Sequence, residues 1–348
     1  MSKERILVTG GLGYIGSHTI VDLIEAGYDV VSLDNEINSS ADVLIGIEKI
    51  TGKKVENIHV DLSRKDETLD AVRKYGSFDG IIHFAALKSV EESVFKPIFY
   101  FQNNVEGSIT ILNMMEEFDI PFLIFSSSCT VYGSPDKLPV TEDTPFDKAE
   151  SPYGATKQAC EILYEQYFKS AAKKNAQSTK TAAAVSLRYF NPAGAHSSAL
   201  IGESPINKPT NLVPVITSTV KQGGEMKVHG KDYPTRDGSC IRDYVHIMDL
   251  ARAHTLALEY LLSKNNSEPY EAYNLGIGEG VTVFEAIKAF EEATGEKVNF
   301  TIGPRRAGDV PAIYADPSLI TTRLGWRPDH NIHSIMKSAW EWEKVRSL

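Results

Sequence analysis

The chain has 348 residues, more than one compact core usually serves, so two lobes or one large sheet with a smaller appended part are expected. Its formal net charge of −10 opposes a phosphate backbone, and no Lys/Arg block with interleaved aromatics offsets it, so nucleic acid is not expected as a partner. No apolar run is long enough to span a bilayer, and Met1 to Arg5 leads directly into an apolar stretch, so the expectation is a cytoplasmic protein without a membrane partner.

Apolar runs that read as buried parallel strands occur at 5–8, 29–33, 57–60, 80–84, 122–126 and 182–188, and amphipathic or helix-length stretches separate most of them. That alternation predicts an α/β fold, a Rossmann-like doubly wound parallel sheet with its ligand edge at the strand C-termini. After Asn191 the texture changes: Pro192, Pro205, Pro209 and Pro214 punctuate a loop-rich stretch, then short strands and helices follow. A dinucleotide-binding domain over 1–190 and a second, smaller α/β substrate-binding lobe over 191–348 are therefore expected, with part of 235–262 packing back on the first as a helix near 245–261. The stretch 171–181 reads as a polar helix end and loop.

Val8-Thr9 closes the first strand, and Gly10, Gly13 and Gly16 follow at three-residue spacing before a helix that runs to about Glu25. Backbone N–H groups at such a helix start hold a pyrophosphate, and missing side chains permit close approach. Asp34 follows the second strand, where a carboxylate accepts hydrogen bonds from both ribose hydroxyls of NAD and repels the 2′-phosphate of NADP.

Further on, Ser126-Ser127-Ser128 ends the fifth strand, and Tyr153 and Lys157 lie four apart, the spacing that puts two side chains on one helical face. A phenol beside an ammonium and a serine hydroxyl is suited to taking a proton from an alcohol during hydride transfer. Each feature alone has an ordinary structural explanation, a serine run as a turn or cap and a Tyr/Lys pair as coincidence; their conjunction points to catalysis. Cys129, Cys160 and Cys240 form no CxxC and the nine histidines show no HExxH, so no disulfide framework and no metal are expected. His83, His196 and His246 read as packing or hydrogen-bonding residues.

The strings TGGLGYIGSHT from Thr9, LDN at 33–35, HFAALKSVEES from His83, FSSSCTVYG from Phe125, SPYGATK from Ser151 and RYFNPAGAH from Arg188 occur in order. NLVP at 211–214, GKDYPTRDGSCIRDYVHIMDLA from Gly230 and RRAGDVPA from Arg305 follow. Together they resemble the extended short-chain dehydrogenase/reductase family over about Ile6 to Arg327, and within it the enzymes that epimerise nucleotide sugars at C4. The resemblance implies NAD contacts from Gly10, Gly13, Tyr14, Ile15 and Gly16 at the phosphates, Asp34 and Asn35 at the adenosine ribose, and Asp61 and Leu62 near the adenine. Phe84, Ala85, Lys88, Asn103, Tyr153 and Lys157 would lie along the pyrophosphate and nicotinamide ribose. It implies UDP-sugar contacts from Ser128, Tyr189, Phe190, Asn191, Asn211, Leu212, Arg242, Arg306 and Asp309, with Ser128, Tyr153 and Lys157 catalytic.

The activity so implied is interconversion of UDP-glucose and UDP-galactose through a transient 4-ketose that turns its other face before re-reduction, with NAD retained. The main alternatives are action on the N-acetylated UDP-hexosamines and a 4,6-dehydratase. A dehydratase needs an Asp-Glu pair where this chain has Cys129 and Thr130. A binding module without catalysis would lack the tyrosine or lysine. By the resemblance, Ile313 matches a position where the family varies between bulky and small side chains, which implies a role in the room for an N-acetyl group, and its intermediate size leans toward the unsubstituted sugars. His229 departs from the aromatic or apolar residue usual near the uracil. The family also implies a homodimer through helices near 98–118 and 153–168, with Phe99, Phe101, Tyr164 and Phe168 on show.

Overall fold

The computed structural model describes residues 4–174, 182–206, 209–306 and 309–346. The strands among the described residues are β1 (Arg5–Thr9), β2 (Asp29–Leu33), β3 (Glu56–Ile58), β4 (Gly80–His83), β5 (Phe122–Ser128), β6 (Ala183–Tyr189), β7 (Asn191–Ala193), β8 (Met226–His229), β9 (Ile241–His246), β10 (Tyr270–Leu275), β11 (Gly280–Thr282), β12 (Phe300–Gly303) and β13 (Ala312–Ile313). The α-helices are α1 (Tyr14–Glu25), α2 (Val43–Thr51), α3 (Lys65–Val72), α4 (Val90–Phe95), α5 (Pro97–Phe101), α6 (Gly107–Glu117), α7 (Pro152–Lys174), α8 (Leu212–Lys221), α9 (Ile247–Leu262), α10 (Val283–Thr294), α11 (Ser318–Leu324) and α12 (Ile332–Val345).

A seven-stranded, wholly parallel sheet has the order β10-β6-β5-β4-β1-β2-β3. The six runs expected as strands are its β1 to β6. Both faces are covered, which is why these strands read as continuous apolar runs. On one face α1, α2, α9 and α11 enclose a core that includes Ile6, Val8, Ile20, Leu250 and Trp326; on the other α3, α6 and α7 cover Leu7, Ile81, Leu123 and Phe125. The strand order reverses between β1 and its neighbours β2 and β4, so a crevice opens beyond Thr9, Leu33 and His83.

The second lobe has a four-stranded sheet around β9, which pairs with β7, β11 and β13, and a separate β8–β12 pair, with α8, α10 and α12 packed around a core containing Ile216, Phe290 and Trp340. α9 packs on α1, and Val245 and His246 finish a strand rather than start that helix. The next segment, Tyr270–Leu275, adds β10 to the main sheet beside β6. The chain therefore re-enters the first lobe after residue 190, and a cut there does not leave two contiguous units. α7 runs to Lys174, and residues 175–181 of the expected helix end lie outside the described residues.

One expectation is overturned. Tyr164 and Phe168 are fully buried against Phe125 and the rest of the α7-side core, because they continue the helical stripe Lys157, Cys160, Tyr164, Phe168 that faces the sheet. The exposed apolar residues of this region are Ile98, Phe99, Phe101, Ile109 and Ile162. Among the described residues no helix is long and apolar enough to cross a membrane, and no group of three or more His, Cys, Asp or Glu side chains is gathered to hold a metal ion.

Candidate active site

A cleft of about 1270 Å³ lies along the C-terminal edge of the main sheet and extends between the lobes. Of the residues expected from sequence to be catalytic or to contact cofactor or substrate, all line it except Arg242, Arg306 and Asp309.

At its dinucleotide end the β1–α1 turn is packed backbone against backbone. Gly10 has a left-handed φ of 69°, and a Cβ there would lie 2.6 Å from the Ala85 nitrogen. A Cβ on Gly16 would lie 2.2 Å from the Gly10 carbonyl oxygen. The N-cap is Gly13, which brings no side chain to the first N–H groups of α1, so these donors stay available to an anion. The Tyr14 hydroxyl donates to the Gly194 carbonyl at 2.6 Å, tying this turn to the second lobe. Asp34 is buried at the end of β2. Its Oδ2 accepts from Leu12 N–H at 3.1 Å, and its Oδ1 accepts from Glu36 N–H and the Ser39 hydroxyl, each at 2.8 Å. Its orientation is therefore fixed before any ribose arrives. Asp61 takes Ser63 N–H at 2.9 Å and the Ser63 hydroxyl at 2.8 Å, which organises the loop before α3 as well as the cleft wall. An uncapped helix start, a turn with no room for Cβ atoms and an oriented carboxylate fit a dinucleotide.

Between α5 and α6 the helix widens into a π turn, Gln102–Glu106. It lets Asn103 line the cleft while buried Asn104 holds the preceding loop through Leu87 N–H at 2.8 Å and the Leu87 carbonyl at 3.0 Å, and reaches the Thr156 hydroxyl at 3.0 Å. Nothing in the local pattern announces that extra residue in the helical turn.

The three residues expected to be catalytic, Ser128, Tyr153 and Lys157, lie where β5 meets α7. Lys157 is buried, and its ammonium donates to the Ser126 carbonyl at 2.5 Å while lying 4.8 Å from the Phe125 ring centre and 6.0 Å from that of Tyr153. Burial pulls it down to about 8, against the opposing pull of Cys160 and Glu161. Burial pushes the Tyr153 phenol up to about 12, against a hydrogen bond from Ser128 that favours the phenolate. The Ser128 hydroxyl also accepts Thr130 N–H at 3.2 Å. Thus Ser128 and Lys157 flank Tyr153, but dehydration dominates its acidity. His83 faces the Thr9 hydroxyl at 2.7 Å and burial holds it down to about 3, so it is a neutral core group.

Toward the substrate end, the Tyr189 hydroxyl is hydrogen-bonded to His254 Nε2. The other ring nitrogen of His254 donates to the Leu250 carbonyl at 2.8 Å, so Nε2 accepts the phenol proton. Phe190 packs with Cys129, Val131, Tyr132 and buried Ile313. Asn211 forms the N-cap of α8. Glu203, absent from the sequence expectations, lines the cleft with Oε1 at 3.4 Å from both Lys88 Nζ and Asn211 Nδ2, and so bridges the two walls.

Arg242, Arg306 and Asp309 do come together, outside the cleft lining. Asp309 Oδ1 lies 2.8 Å from Arg306 and 3.5 Å from Arg242, whose Nη1 also donates to the Val310 carbonyl at 2.9 Å. Those bonds hold both guanidinium groups beside Asp309 and Val310 in the second lobe. The positive charge of Arg242 nevertheless reaches Cys129, next to Ser128, and Arg306 interacts with the cleft-wall carboxylate Glu91. Cys129 itself is buried and its thiol pushed up to about 12, which removes it as an acid catalyst. His229 is on β8 with Nδ1 3.3 Å from the Pro304 carbonyl, outside the cleft lining.

A family model described as GDP-mannose 4,6 dehydratase matches residues 7–339. UDP-glucose 4-epimerase of Yersinia enterocolitica is 45% identical, with 98% of this chain and 97% of that protein covered. The chain belongs to the UDP-glucose 4-epimerase family. Crystal structures agree: the epimerase from Stenotrophomonas maltophila, with bound NAD and formylated UDP-arabinopyranose, has a TM-score of 0.90 at 41% identity and 98% coverage of each chain. The Bifidobacterium longum epimerase, in complex with NAD+ and UDP, has a TM-score of 0.89 at 40% identity, again with 98% of each chain covered. Membership in these epimerases is thus supported by sequence and by fold along nearly the whole length.

Proposed function

We propose that the protein interconverts UDP-glucose and UDP-galactose by NAD-dependent oxidation at the sugar C4 and re-reduction on the opposite face. The observation that carries this most directly is the convergence of Ser128, Tyr153 and Lys157 on the edge of the cleft whose other end fits a dinucleotide. Related structures that hold NAD with UDP or a UDP-sugar support the same pairing of ligands.

Tyr153 takes the proton from the 4-hydroxyl and later returns it, and Ser128 hydrogen-bonds the same oxygen. Because burial alone leaves the phenol near 12, a phenolate at neutral pH needs positive charge beside it, and the Lys157 ammonium is one such charge. Bound in the cleft, NAD would supply the reversible hydride acceptor and a second positive charge. Between the two proton transfers the sugar must present its other face, so firm grip belongs on the nucleotide. Arg242 and Arg306 offer guanidinium groups to the diphosphate, with Asp309 between them, while Asn191, Asn211, Leu212, Tyr189 and Phe190 border the hexose. Buried Ile313, packed beside Phe190, favours sugars without an N-acetyl group.

The setting we infer is cytoplasmic galactose metabolism, in keeping with three free, buried cysteines. A homodimer is supported by the exposed Phe101, Ile109 and Ile162 on neighbouring helices, and sedimentation at micromolar concentration tests it. The activity is tested by incubating NAD-loaded protein with UDP-galactose alone. UDP-glucose should accumulate to equilibrium without stoichiometric NADH. No conversion, NADH formed in step with sugar loss, or loss of water from the sugar would each overturn the assignment.

A further inference from the structure

Directly behind the catalytic group is a buried ion pair that the reaction as described does not use. Glu161 is 2% exposed and lies one helical turn beyond Lys157 on α7. Arg188 of β6 grips it with two parallel bonds, Nε to Oε1 at 3.0 Å and Nη2 to Oε2 at 2.8 Å. Oε1 also accepts the hydroxyl of Ser127, and Oε2 accepts that of Tyr270 from β10 at 3.2 Å. Arg188 Nη1 continues to the Tyr132 hydroxyl at 2.8 Å, which donates to Asn274 at 2.6 Å. One carboxylate thus connects α7, β5, β6 and β10.

Its contact on β5 is the telling one. Ser127 stands between Ser126, whose carbonyl holds the Lys157 ammonium, and Ser128, which bonds Tyr153. We propose, on the 4-epimerase assignment above, that the Glu161–Arg188 pair is a positioning device, which locks the end of β5 to α7 so that Ser126 and Ser128 meet Lys157 and Tyr153 in register. A buried pair of this kind is weak evidence of added stability, since apolar replacements often do as well. Placed here, it fixes geometry. It also sets charge: the groups facing Lys157 are Tyr153, Cys160 and Glu161 on its own helix, His83 on β4 and Arg188 on β6 behind Glu161. Of these, His83 is neutral and Glu161 is the anion that favours the ammonium.

The test compares Glu161→Gln with the double variant Glu161→Gln/Arg188→Met, which leaves no unpaired buried charge, in NAD-loaded protein with activity expressed per bound NAD. Turnover of UDP-galactose should fall about tenfold or more in each while KM stays within about twofold, since the loss falls on the reacting geometry. The rising limb of the pH profile should move to lower pH by roughly one unit, because without the Glu161 anion the coupled pair gives up its first proton more readily, while the plateau drops because a less charged Lys157 stabilises the phenolate less. If the NAD-bound fraction of the double variant turns over at the parent rate with an unshifted profile, the pair is only structural and the proposal is overturned. Arg188→Lys, which keeps the charge but not the fork, should retain the pH profile and lose part of the turnover. An unsubstituted protein that fails to convert UDP-galactose refutes the 4-epimerase assignment itself, and this proposal falls with it.

Discussion

Gly16→Ala places a methyl group where the β1–α1 turn has no space. The added carbon would lie 2.2 Å from the Gly10 carbonyl oxygen and 2.8 Å from the Gly11 Cα, both backbone atoms. Bringing the shorter contact out to 3.0 Å opens the turn by roughly 0.8 Å. Rotating a side chain does not relieve this, since Gly10 is itself closed in by Ala85 and donates its N–H to the Leu33 carbonyl at 2.7 Å. Overpacking of this kind costs about 1–3 kcal/mol of stability. The larger effect is on ligand geometry, where a displacement near 1 Å can cost about 10²-fold. Gly13→Ala is the internal control: its Cβ meets only the Gly10 carbonyl oxygen, at 3.2 Å, which a shift of a few tenths of an ångström relieves. Calorimetric titration with NAD and thermal unfolding in its absence measure the two effects. Gly16→Ala should lose NAD affinity by about 10²-fold and melt earlier, while Gly13→Ala melts close to the parent. A Gly16→Ala protein that binds NAD within about twofold of the parent would refute the backbone-contact account of this turn.

Tyr153→Phe should lower turnover by about 10²–10⁴-fold yet bind NAD and UDP as the parent does, seen by steady-state rates beside calorimetry. The pH profile follows from signs: Tyr153 is raised to about 12 and Lys157 lowered to about 8, so below that range the coupled pair holds both protons and the phenolate is scarce. Turnover should therefore climb with pH through neutrality and level off by about 8; a fall between pH 6 and 8 contradicts the assignment of the base. Ile313→Ala removes bulk from the cluster beside Phe190 and should raise the rate on UDP-N-acetylgalactosamine relative to UDP-galactose, at a stability cost of about 2–5 kcal/mol. An unchanged ratio of initial rates would show that this side chain does not set the room at C2.

What the amino-acid sequence determined by itself is the local geometry and its period. Apolar runs separated by helix-length stretches dictated a parallel sheet covered on both faces, and they located β1 to β6 within a residue or two. The glycines after β1, Asp34 after β2, and the four-residue step from Tyr153 to Lys157 are short-range patterns whose chemistry depends little on the rest of the chain. The helical period from Lys157 through Cys160 and Tyr164 to Phe168 carries the same kind of short-range signal, and the expectation that those two aromatics are exposed passed over it. Only the tertiary structure decided which distant groups share a site. Glu161 meets Arg188 and Ser127, Glu203 spans from Lys88 to Asn211, and β10 comes back to β6 because sheet pairing and core packing join residues whose chain separation carries no periodic signal. Acidity belongs to the same class: a phenol four residues from a lysine suggests a ready base, whereas burial, a property of the whole fold, pushes that phenol up and pulls its lysine down.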